Sequence, residues 1–302
     1  MHYPSRIHLR EVSPRDGLQA ETTHLSTADK VAFVDLLSNA GFPQINAVSF
    51  VSPKAMPHMA DAAQIMAGIT RRPGTIYDAT VPNLSGVRRA LDADMPVVSV
   101  FISASLADYR PDRTQDDNLA SAAEAVAEAR ANGLGVIAVV AKAFGCSVEG
   151  EIPFDRVLRL MGRLHEAGAN EVCLGDTSGE AGPAQVGRLV GDTLSAFPDS
   201  PLSLHFHDTR GLGLANVLAA MDAGATRFDS AVGGIGGSPQ TRNSTGNIST
   251  EDLLHLCEDA GVETGVDLDI VLEAYRFLEE KLGHPLPGRL GKFGRSKRAL
   301  AS

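Results

Sequence analysis

The sequence predicts an α/β protein in which eight parallel strands close into a barrel, with a helix after each strand. The first observation is a strict alternation of short strand-like and longer helix-like segments over most of the 302 residues. The second is that the strand-like segments are mostly apolar, as expected for strands buried on both faces. The third is a recurring Ala-Gly or Asn-Gly pair at the helix ends, where glycine stops a helix. Alternation at this length favours a TIM (β/α)8 barrel over an open doubly wound sheet with an appended domain, which stays the alternative.

The strands are predicted from their apolar or alternating runs. Strand four is an apolar run, and strand seven alternates before it ends in two histidines. In chain order the predicted strands cover residues 7–12, 44–50, 75–81, 96–102, 135–141, 171–174, 202–207 and 227–232.

The helices are predicted from capping residues and glycine stops. Ser26 or Thr27 can cap the first helix, which runs to Asn39 and stops at Gly41. We predict one domain over 1–302, with the barrel over about 5–262 and a C-terminal helix and tail over 263–302. The later helices are predicted around 58–69 and over 84–93, 114–132, 153–167, 183–197, 213–223, 250–260 and 269–282.

Composition and charge exclude several classes of protein. Hydrophobic residues make up 43% and charged residues 21%, which is ordinary for a soluble globular protein. The net charge of −10 argues against nucleic acid as a general partner. Because no apolar run resembles a signal peptide or spans a bilayer, we expect no membrane partner and a cytoplasmic location. The widely spaced Cys146, Cys173 and Cys257 fit that reducing compartment.

Polar side chains follow several predicted strands at their carboxyl ends, where a TIM barrel carries its chemistry. Each group alone has a plainer interpretation, such as a turn ion pair or a helix cap. Their convergence on one rim makes them candidates for an active site. They are Arg15, Asp16, Gln19, Asn46, Ser49, Asp176, Thr177, His205, His207, Asn247 and Glu251.

Two of these candidates predict a metal site. His205 and His207 are spaced i, i+2 on a strand, which puts both imidazole rings on one face. With Asp16 and Asn247 they give a mixed set of nitrogen and oxygen ligands. That set suits Mg²⁺ or Mn²⁺, with Zn²⁺ or Co²⁺ as the alternatives. A strand with two packed histidines is the plain alternative.

A metal at this rim indicates a class of reaction. A divalent ion would chelate a hydroxyl and a carbonyl oxygen of a substrate and would lower the pKa of the hydroxyl. Arg15, which is always charged, would neutralise a developing enolate oxygen. Together they favour making or breaking a carbon–carbon bond next to a carbonyl. The glycine-rich stretch 233–237 lacks the order of a dinucleotide-binding motif.

Five motifs resemble those of 3-hydroxy-3-methylglutaryl-CoA lyases, and the resemblance extends to about Lys281. The Ser-Pro-Arg-Asp-Gly-Leu-Gln opening favours the lyases over the isopropylmalate and homocitrate synthases of the same superfamily. The motifs are Glu-Val-Ser-Pro-Arg-Asp-Gly-Leu-Gln at 11–19, Ser-Phe-Val-Ser-Pro-Lys at 49–54, Leu-Gly-Asp-Thr at 174–177, His-Phe-His-Asp-Thr at 205–209 and Gly-Asn-Ile-Ser-Thr-Glu-Asp at 246–252.

The resemblance implies a role for each matching residue. It implies that the metal ligands are Asp16, His205, His207 and Asn247. It implies that Arg15 polarises the substrate, and that Asp176 and Glu251 assist proton transfer and order the rim. The reaction it implies is a retro-Claisen cleavage of 3-hydroxy-3-methylglutaryl-CoA, or of a related hydroxy acyl-CoA or hydroxy acid.

Three residues depart from the lyase pattern. Ser238 stands where the lyases carry a loop cysteine that transfers protons, and a serine hydroxyl cannot exchange protons near neutrality without a strong base. Asn46 replaces a glutamate, and Lys142 replaces a small or thiol residue. We take Ser238 as catalytic, and Gln19, Asn46 and Lys142 as substrate-binding with Arg15. The alternative for Lys142 is a lysine that forms a salt bridge and does not bind substrate.

These departures leave the predicted metal set complete and change the acid–base set. We therefore expect an enzyme with an altered substrate or proton donor, which acts on a small molecule, most simply an acyl-CoA. The first alternative is a Claisen-type synthase that condenses an acyl-CoA with a 2-oxo acid, and the second is an inactive barrel that binds a metal or metabolite. We expect a homo-oligomer, and the amphipathic helix 269–282 is predicted to pack on the barrel or on a second subunit.

Overall fold

The strands of this protein form a closed parallel barrel. The computed structural model describes residues 2–109, 111–237 and 246–295. Each strand pairs in parallel with the next along the chain, and the last pairs with the first. This confirms the TIM barrel and excludes the open sheet. The strands are β1 His8–Glu11, β2 Gln44–Ser49, β3 Ile76–Val81, β4 Val97–Ser103, β5 Gly135–Ala141, β6 Glu171–Asp176, β7 Leu202–Phe206 and β8 Arg227–Ser230.

Helices follow the strands on the outside of the barrel. Ser26 caps the first, since its hydroxyl accepts the N–H of Asp29. Thr114 and Asp117 cap the fourth reciprocally. The helices are α1 Thr27–Asn39, α2 Ala62–Gly68, α3 Leu84–Asp92, α4 Gln115–Ala131, α5 Phe154–Glu166, α6 Pro183–Ala196, α7 Gly213–Asp222, α8 Thr250–Ala260, α9 Leu268–Leu282 and α10 Arg289–Phe293.

The helix predicted around 58–69 is shorter than expected. Pro57–Met59 forms a separate 3-10 turn, and α2 begins only at Ala62. Between them, both carboxylate oxygens of Asp61 lie 3.0 Å from the Lys30 ammonium of α1. This ion pair ties the chain to α1 at the point where the helix was expected to be continuous.

The C-terminal helices lie against the barrel. One face of α9 is buried and joins the main core, so α9 packs on the barrel. The backbone N–H groups of Arg289 and Leu290, which begin α10, donate to the Asp252 carboxylate of α8 at 3.0 and 2.7 Å. A Cβ on Gly291 would lie 2.3 Å from the ring of Tyr275, so α10 needs glycine for its close contact with α9.

The interior of the barrel divides into two halves. The apolar half consists of Ile137, Val139 and Cys173, with Val97 packed against them. The polar half consists of Arg10, Gln44, Asn46, Asp78 and Asp229, all buried and joined by hydrogen bonds between strands. Arg10 of β1 bonds to Asp229 of the neighbouring β8 and, past β2, to Asp78 of β3. The main core lies between the strands and the helices. In the described part of the chain, no helix is long and apolar enough to cross a membrane.

Candidate active site

A tight turn after β1 places two charged residues at the barrel mouth. Residues Ser13–Gly17 form one turn of π-helix, in which the Val12 carbonyl accepts the N–H groups of Arg15, Asp16 and Gly17. A Cβ on Gly17 would lie 2.6 Å from the side chain of Ile235, so any other residue here would force the Ile235 side chain to move. The turn brings the adjacent Arg15 and Asp16 to the same cavity.

The predicted histidines meet Asp16 at this mouth. His205 lies in β7 and His207 one residue beyond its end, and their Nε2 atoms are 3.1 Å apart. The Nε2 atom of His205 lies 3.9 Å from the Oδ2 atom of Asp16. One ligand atom from each of the three residues lies within 4.8 Å of the others. This spacing fits one cation with bonds of about 2.0–2.2 Å to nitrogen and oxygen.

His205 is oriented from below by a residue that the sequence analysis missed. Its Nδ1 atom lies 3.1 Å from the Oδ2 atom of Asp229, a buried residue of β8. An Nδ1–H donated to this carboxylate leaves the Nε2 lone pair facing Asp16 and His207, an arrangement common in metal sites. The only sequence signal for Asp229 is an acidic residue within a predicted buried strand.

Asn247 reaches the site from the opposite side. Its backbone bridges to His207, and its Nδ2 atom donates to Asp16 Oδ2 and to the Ile235 carbonyl, both at 3.0 Å. The amide nitrogen therefore faces Asp16, and ligation by Asn247 requires its oxygen to turn toward that carboxylate. A Cβ on Gly246 would lie 2.4 Å from the Gly234 carbonyl oxygen, so glycine is required for this approach.

The charges of the site suit a cation. Burial and then the charge of His205 lower the pKa of His207 to about 4, so its imidazole is neutral. Burial raises the pKa of Asp16, but Arg15 and the two histidines outweigh it and lower that pKa to about 2. Burial also lowers the pKa of His205, but its hydrogen bond to Asp229 and the charge of Asp16 raise it overall. A carboxylate and an uncharged imidazole thus face each other near neutral pH.

Arg15 and Gln19 lie beside this cluster in a cavity of about 260 Å³. The Arg15 guanidinium donates to Asp16 Oδ1 at 2.8 Å and lies 5.2 Å from the centroid of the Phe101 ring. Its Nε is buried with no hydrogen-bond partner among the described residues, and so is Gln19 Oε1. Polar lining comes from Arg15, Asp16, Gln19, Thr177, His205 and His207, and apolar lining from Met56, Phe101, Val139 and Ala141.

The two predicted acidic residues lie beneath the rim, and neither is among the described residues that line the cavity. Asp176 Oδ1 accepts the N–H groups of Glu180 and Ala181 at 2.8 and 3.2 Å. Glu251 Oε2 accepts the N–H of Gly233 at 3.0 Å. Burial raises the pKa of both carboxyls to about 7. Their catalytic roles stay predictions.

The predicted substrate-binding residues Asn46 and Lys142 also have partners within the protein. Asn46 Nδ2 donates to Asp78 Oδ1 at 2.6 Å, inside the barrel. The Lys142 ammonium pairs with Asp108 at 2.5 Å. Neither is among the described residues that line the cavity, and their binding roles stay predictions. Ser238, the third departure from the lyase pattern, lies outside the described residues.

Comparison with known proteins identifies the family. Residues 6–278 match the HMGL-like family model. The chain is 40% identical over 291 residues to a hydroxymethylglutaryl-CoA lyase of Bacillus subtilis, covering 96% of this chain and 97% of that one. It is 37% identical over 294 residues to a 3-hydroxy-3-isohexenylglutaryl-CoA/hydroxymethylglutaryl-CoA lyase of Pseudomonas aeruginosa, covering 97% and 98%.

Solved structures give the same result. A Bacillus subtilis HMG-CoA lyase superposes with a TM-score of 0.94 at 39% identity, covering 98% of this chain and 100% of that one. An Acinetobacter baumannii HMG-CoA lyase in complex with coenzyme A and 3-methylmalate gives 0.92 at 41% identity, covering 98% of both. The chain therefore belongs to the HMGL-like family, whose members depend on a divalent metal, and it is a carbon–carbon lyase.

Proposed function

We propose that this protein cleaves 3-hydroxy-3-methylglutaryl-CoA, or a closely related 3-hydroxy-3-substituted acyl-CoA, to acetyl-CoA and a 3-oxo acid. One observation carries the proposal: Asp16, His205 and His207 converge beside Arg15 in one cavity at the barrel mouth. The names of the relatives from Bacillus subtilis and Pseudomonas aeruginosa support this class of substrate. The Acinetobacter baumannii relative, solved with coenzyme A, supports an acyl-CoA as the small-molecule partner.

Asp16, His205 and His207 would hold the divalent cation, with Asn247 as a further ligand. The donor set fits, because a charged carboxylate and a neutral imidazole face one point and His205 has its other nitrogen occupied by Asp229. Mixed oxygen and nitrogen donors favour Mg²⁺ or Mn²⁺, with Zn²⁺ or Co²⁺ as alternatives. When bound, such a cation supplies a Lewis acid that polarises the substrate oxygens.

Arg15 would stabilise the charge that forms when the carbon–carbon bond breaks. The electron pair of that bond becomes the enolate of acetyl-CoA, and its negative charge resides on the thioester oxygen. Arg15 is 8% exposed, so its charge acts where little water screens it. Its stacking on Phe101 and its hydrogen bond to Asp16 hold it in place before substrate arrives.

Two proton transfers complete the reaction: the tertiary hydroxyl loses its proton, and the enolate carbon gains one. We assign assistance of these transfers to Asp176 and Ser238. A carboxyl with a pKa of about 7 exchanges protons near neutrality, and the Oδ2 atom of Asp176 has no partner among the described residues. We assign the ordering of the rim to Glu251, which accepts the N–H of Gly233. Gln19 would donate to the substrate from the cavity wall.

Three wider expectations are part of the proposal. All three cysteines lie in the described part of the chain, buried and free, which supports a cytoplasmic location. A single domain over 1–302 and a homo-oligomeric assembly stay predictions.

The test is a cleavage assay on 3-hydroxy-3-methylglutaryl-CoA with Mg²⁺ or Mn²⁺, repeated with excess chelator. We expect acetoacetate and acetyl-CoA only when metal is present. Asp16→Asn should abolish turnover, whereas Asp92→Asn, an exposed residue at the end of α3, should leave it unchanged. Metal-bound protein that releases no product from this thioester, nor from one with a larger 3-substituent, would contradict the proposal. Condensation of acetyl-CoA with a 2-oxo acid by the same sample would then indicate a synthase.

A further inference from the structure

A buried guanidinium joins two carboxylates directly below the metal site. Arg10 of β1 donates from Nε and Nη2 to the two oxygens of Asp78 in β3, at 2.9 and 2.6 Å. From Nη1 it donates to Asp229 Oδ2 of β8 at 3.2 Å. All three residues are at most 5% exposed. A planar guanidinium can bridge two carboxylates in this way, which a single ammonium cannot do with fixed direction.

The network continues from Asp229 to a predicted metal ligand. The Oδ2 atom of Asp229 accepts from Arg10 Nη1 and faces His205 Nδ1 at 3.1 Å. Cys173 Sγ is a weak third contact at 4.0 Å, and Asp229 Oδ1 has no hydrogen-bond partner in the described part of the chain. Arg10 is therefore the charged group that fixes where this carboxylate points.

The other end of the network holds Arg10 itself in place. Arg10 Nη2 also donates to Ser99 Oγ at 2.6 Å. Asp78 accepts from Gln44 Nε2 at 2.9 Å and from Asn46 Nδ2 at 2.6 Å, in addition to Arg10. Because each partner comes from a different strand or strand position, the guanidinium cannot shift without breaking several hydrogen bonds at once.

We infer that Arg10 is a positioning residue for the metal site, which fixes the His205 imidazole through Asp229 so that Nε2 faces Asp16 and His207. This inference rests on the proposed function, since it takes these three residues as the ligands of the cation. Carboxylates that orient a ligating histidine commonly change metal affinity about 10–100-fold when they are altered. Arg10 extends that support one residue further, from β8 to the neighbouring β1 and, through Asp78, to β3.

The experiment measures Mn²⁺ affinity by calorimetry in wild-type protein and in Arg10→Lys. Lysine keeps the positive charge but loses the fork that holds Asp229. We expect Mn²⁺ to bind about 10–100-fold more weakly, and the visible absorption of the Co²⁺-loaded protein to change. The matched control is Ser38→Ala, which removes a buried hydroxyl outside the network, hydrogen-bonded to the Val34 carbonyl and Tyr77, and should leave the Mn²⁺ affinity within about threefold. Unfolding of the metal-free proteins gives the stability loss of each variant.

Each outcome decides the inference. Unchanged Mn²⁺ affinity in folded Arg10→Lys, or equal losses in Arg10→Lys and Ser38→Ala, would overturn it and leave Arg10 a purely structural residue. Wild-type protein that binds neither Mn²⁺ nor any of the other cations considered, Mg²⁺, Zn²⁺ and Co²⁺, would overturn the proposed function and this inference together. If Arg10→Lys does not fold, Asp229→Asn replaces it, because it keeps the side-chain shape and removes the charge between Arg10 and His205. Unchanged affinity in that variant would also overturn the inference.

Discussion

Inside the barrel, β1–β3 and β8 bury charged and amide side chains, whereas β5 and β6 bury an apolar cluster. The apolar half stabilises the fold by removing hydrocarbon from water, by about 0.8 kcal/mol for each buried CH₂ group. The polar half gains little by burial, because desolvation of paired charges offsets most of their attraction. Its position beneath His205 gives a reason for its presence, since precise orientation of a ligand requires directional bonds.

The strongest test of this comparison removes one charge from the polar half. Asp78→Leu leaves Arg10 with a single carboxylate and removes the acceptor of Gln44 and Asn46. Breaking a buried ion pair from one side typically costs about 3–5 kcal/mol. Urea unfolding should show a loss of that size, and Asp78→Asn, which keeps one acceptor oxygen, should lose less. A Leu variant within about 1 kcal/mol of wild type would mean that the network contributes nothing to stability.

A second test compares a charged and an apolar residue that line the cavity at the barrel mouth, by the effect of each on kcat. Arg15→Met keeps an unbranched side chain in the cavity but removes the guanidinium, and with it the charge and the contact with Phe101. By analogy with lost oxyanion donors, kcat should fall about 10²–10³-fold, which corresponds to about 2.7–4 kcal/mol. Val139→Ala is the control and should change kcat far less. A kcat for Arg15→Met within error of wild type would remove Arg15 from the mechanism.

A third test measures how a buried carboxyl without an ionic partner, Glu251, changes the pH dependence of the free energy of unfolding. Burial raises the pKa of Glu251 from 4.5 in the unfolded chain to about 7 in the fold, so between these values the folded state binds more protons than the unfolded state. The Glu251 contribution therefore destabilises the fold increasingly as pH rises from about 4.5 to 7, and is constant above. Glu251→Gln should gain on the order of 1–3 kcal/mol relative to wild type between pH 4.5 and 8. A pH-independent difference in unfolding free energy would contradict this, and Asp92→Asn provides the baseline.

The smallest effect is expected in the apolar half. Ile137→Val removes one buried methylene and should cost about 0.5–1.5 kcal/mol of stability without changing the Mn²⁺ affinity. Thermal unfolding and calorimetry on the same samples would check both. A weakened metal affinity in this variant would mean that the apolar half also supports the metal site, and that the two halves do not differ in function.

The sequence predicted the barrel well because each strand and helix carries its own local signal. All eight strands lie within two residues of their predicted ends. The candidate metal ligands were predicted for the same reason: strand ends meet at one rim, so residues far apart in the chain come together there. Asp16 and His205 are an example.

The polar half could not be predicted, because it depends on contacts between residues that are far apart in the chain. Arg10 and Asp229 are 219 residues apart, and each reads as an ordinary polar residue of a strand. Asn46 was predicted to bind substrate, but whether it faces the cavity or Asp78 depends on the depth of β2 in the barrel. The break before α2 also depends on a distant partner, Lys30 of α1.

The turn at Ser13–Gly17 has a consequence for how this sequence can vary. Arg15 and Asp16 are consecutive residues of one turn closed on the Val12 carbonyl, and a Cβ on the next residue, Gly17, would collide with the Ile235 side chain. A backbone shift that accommodates a new side chain at 15 therefore also moves 16, so substitutions at these positions should be epistatic rather than additive. Natural or laboratory drift would then have to change the pair together, and a library randomised at both positions would yield active members only in matched combinations that retain the glycine.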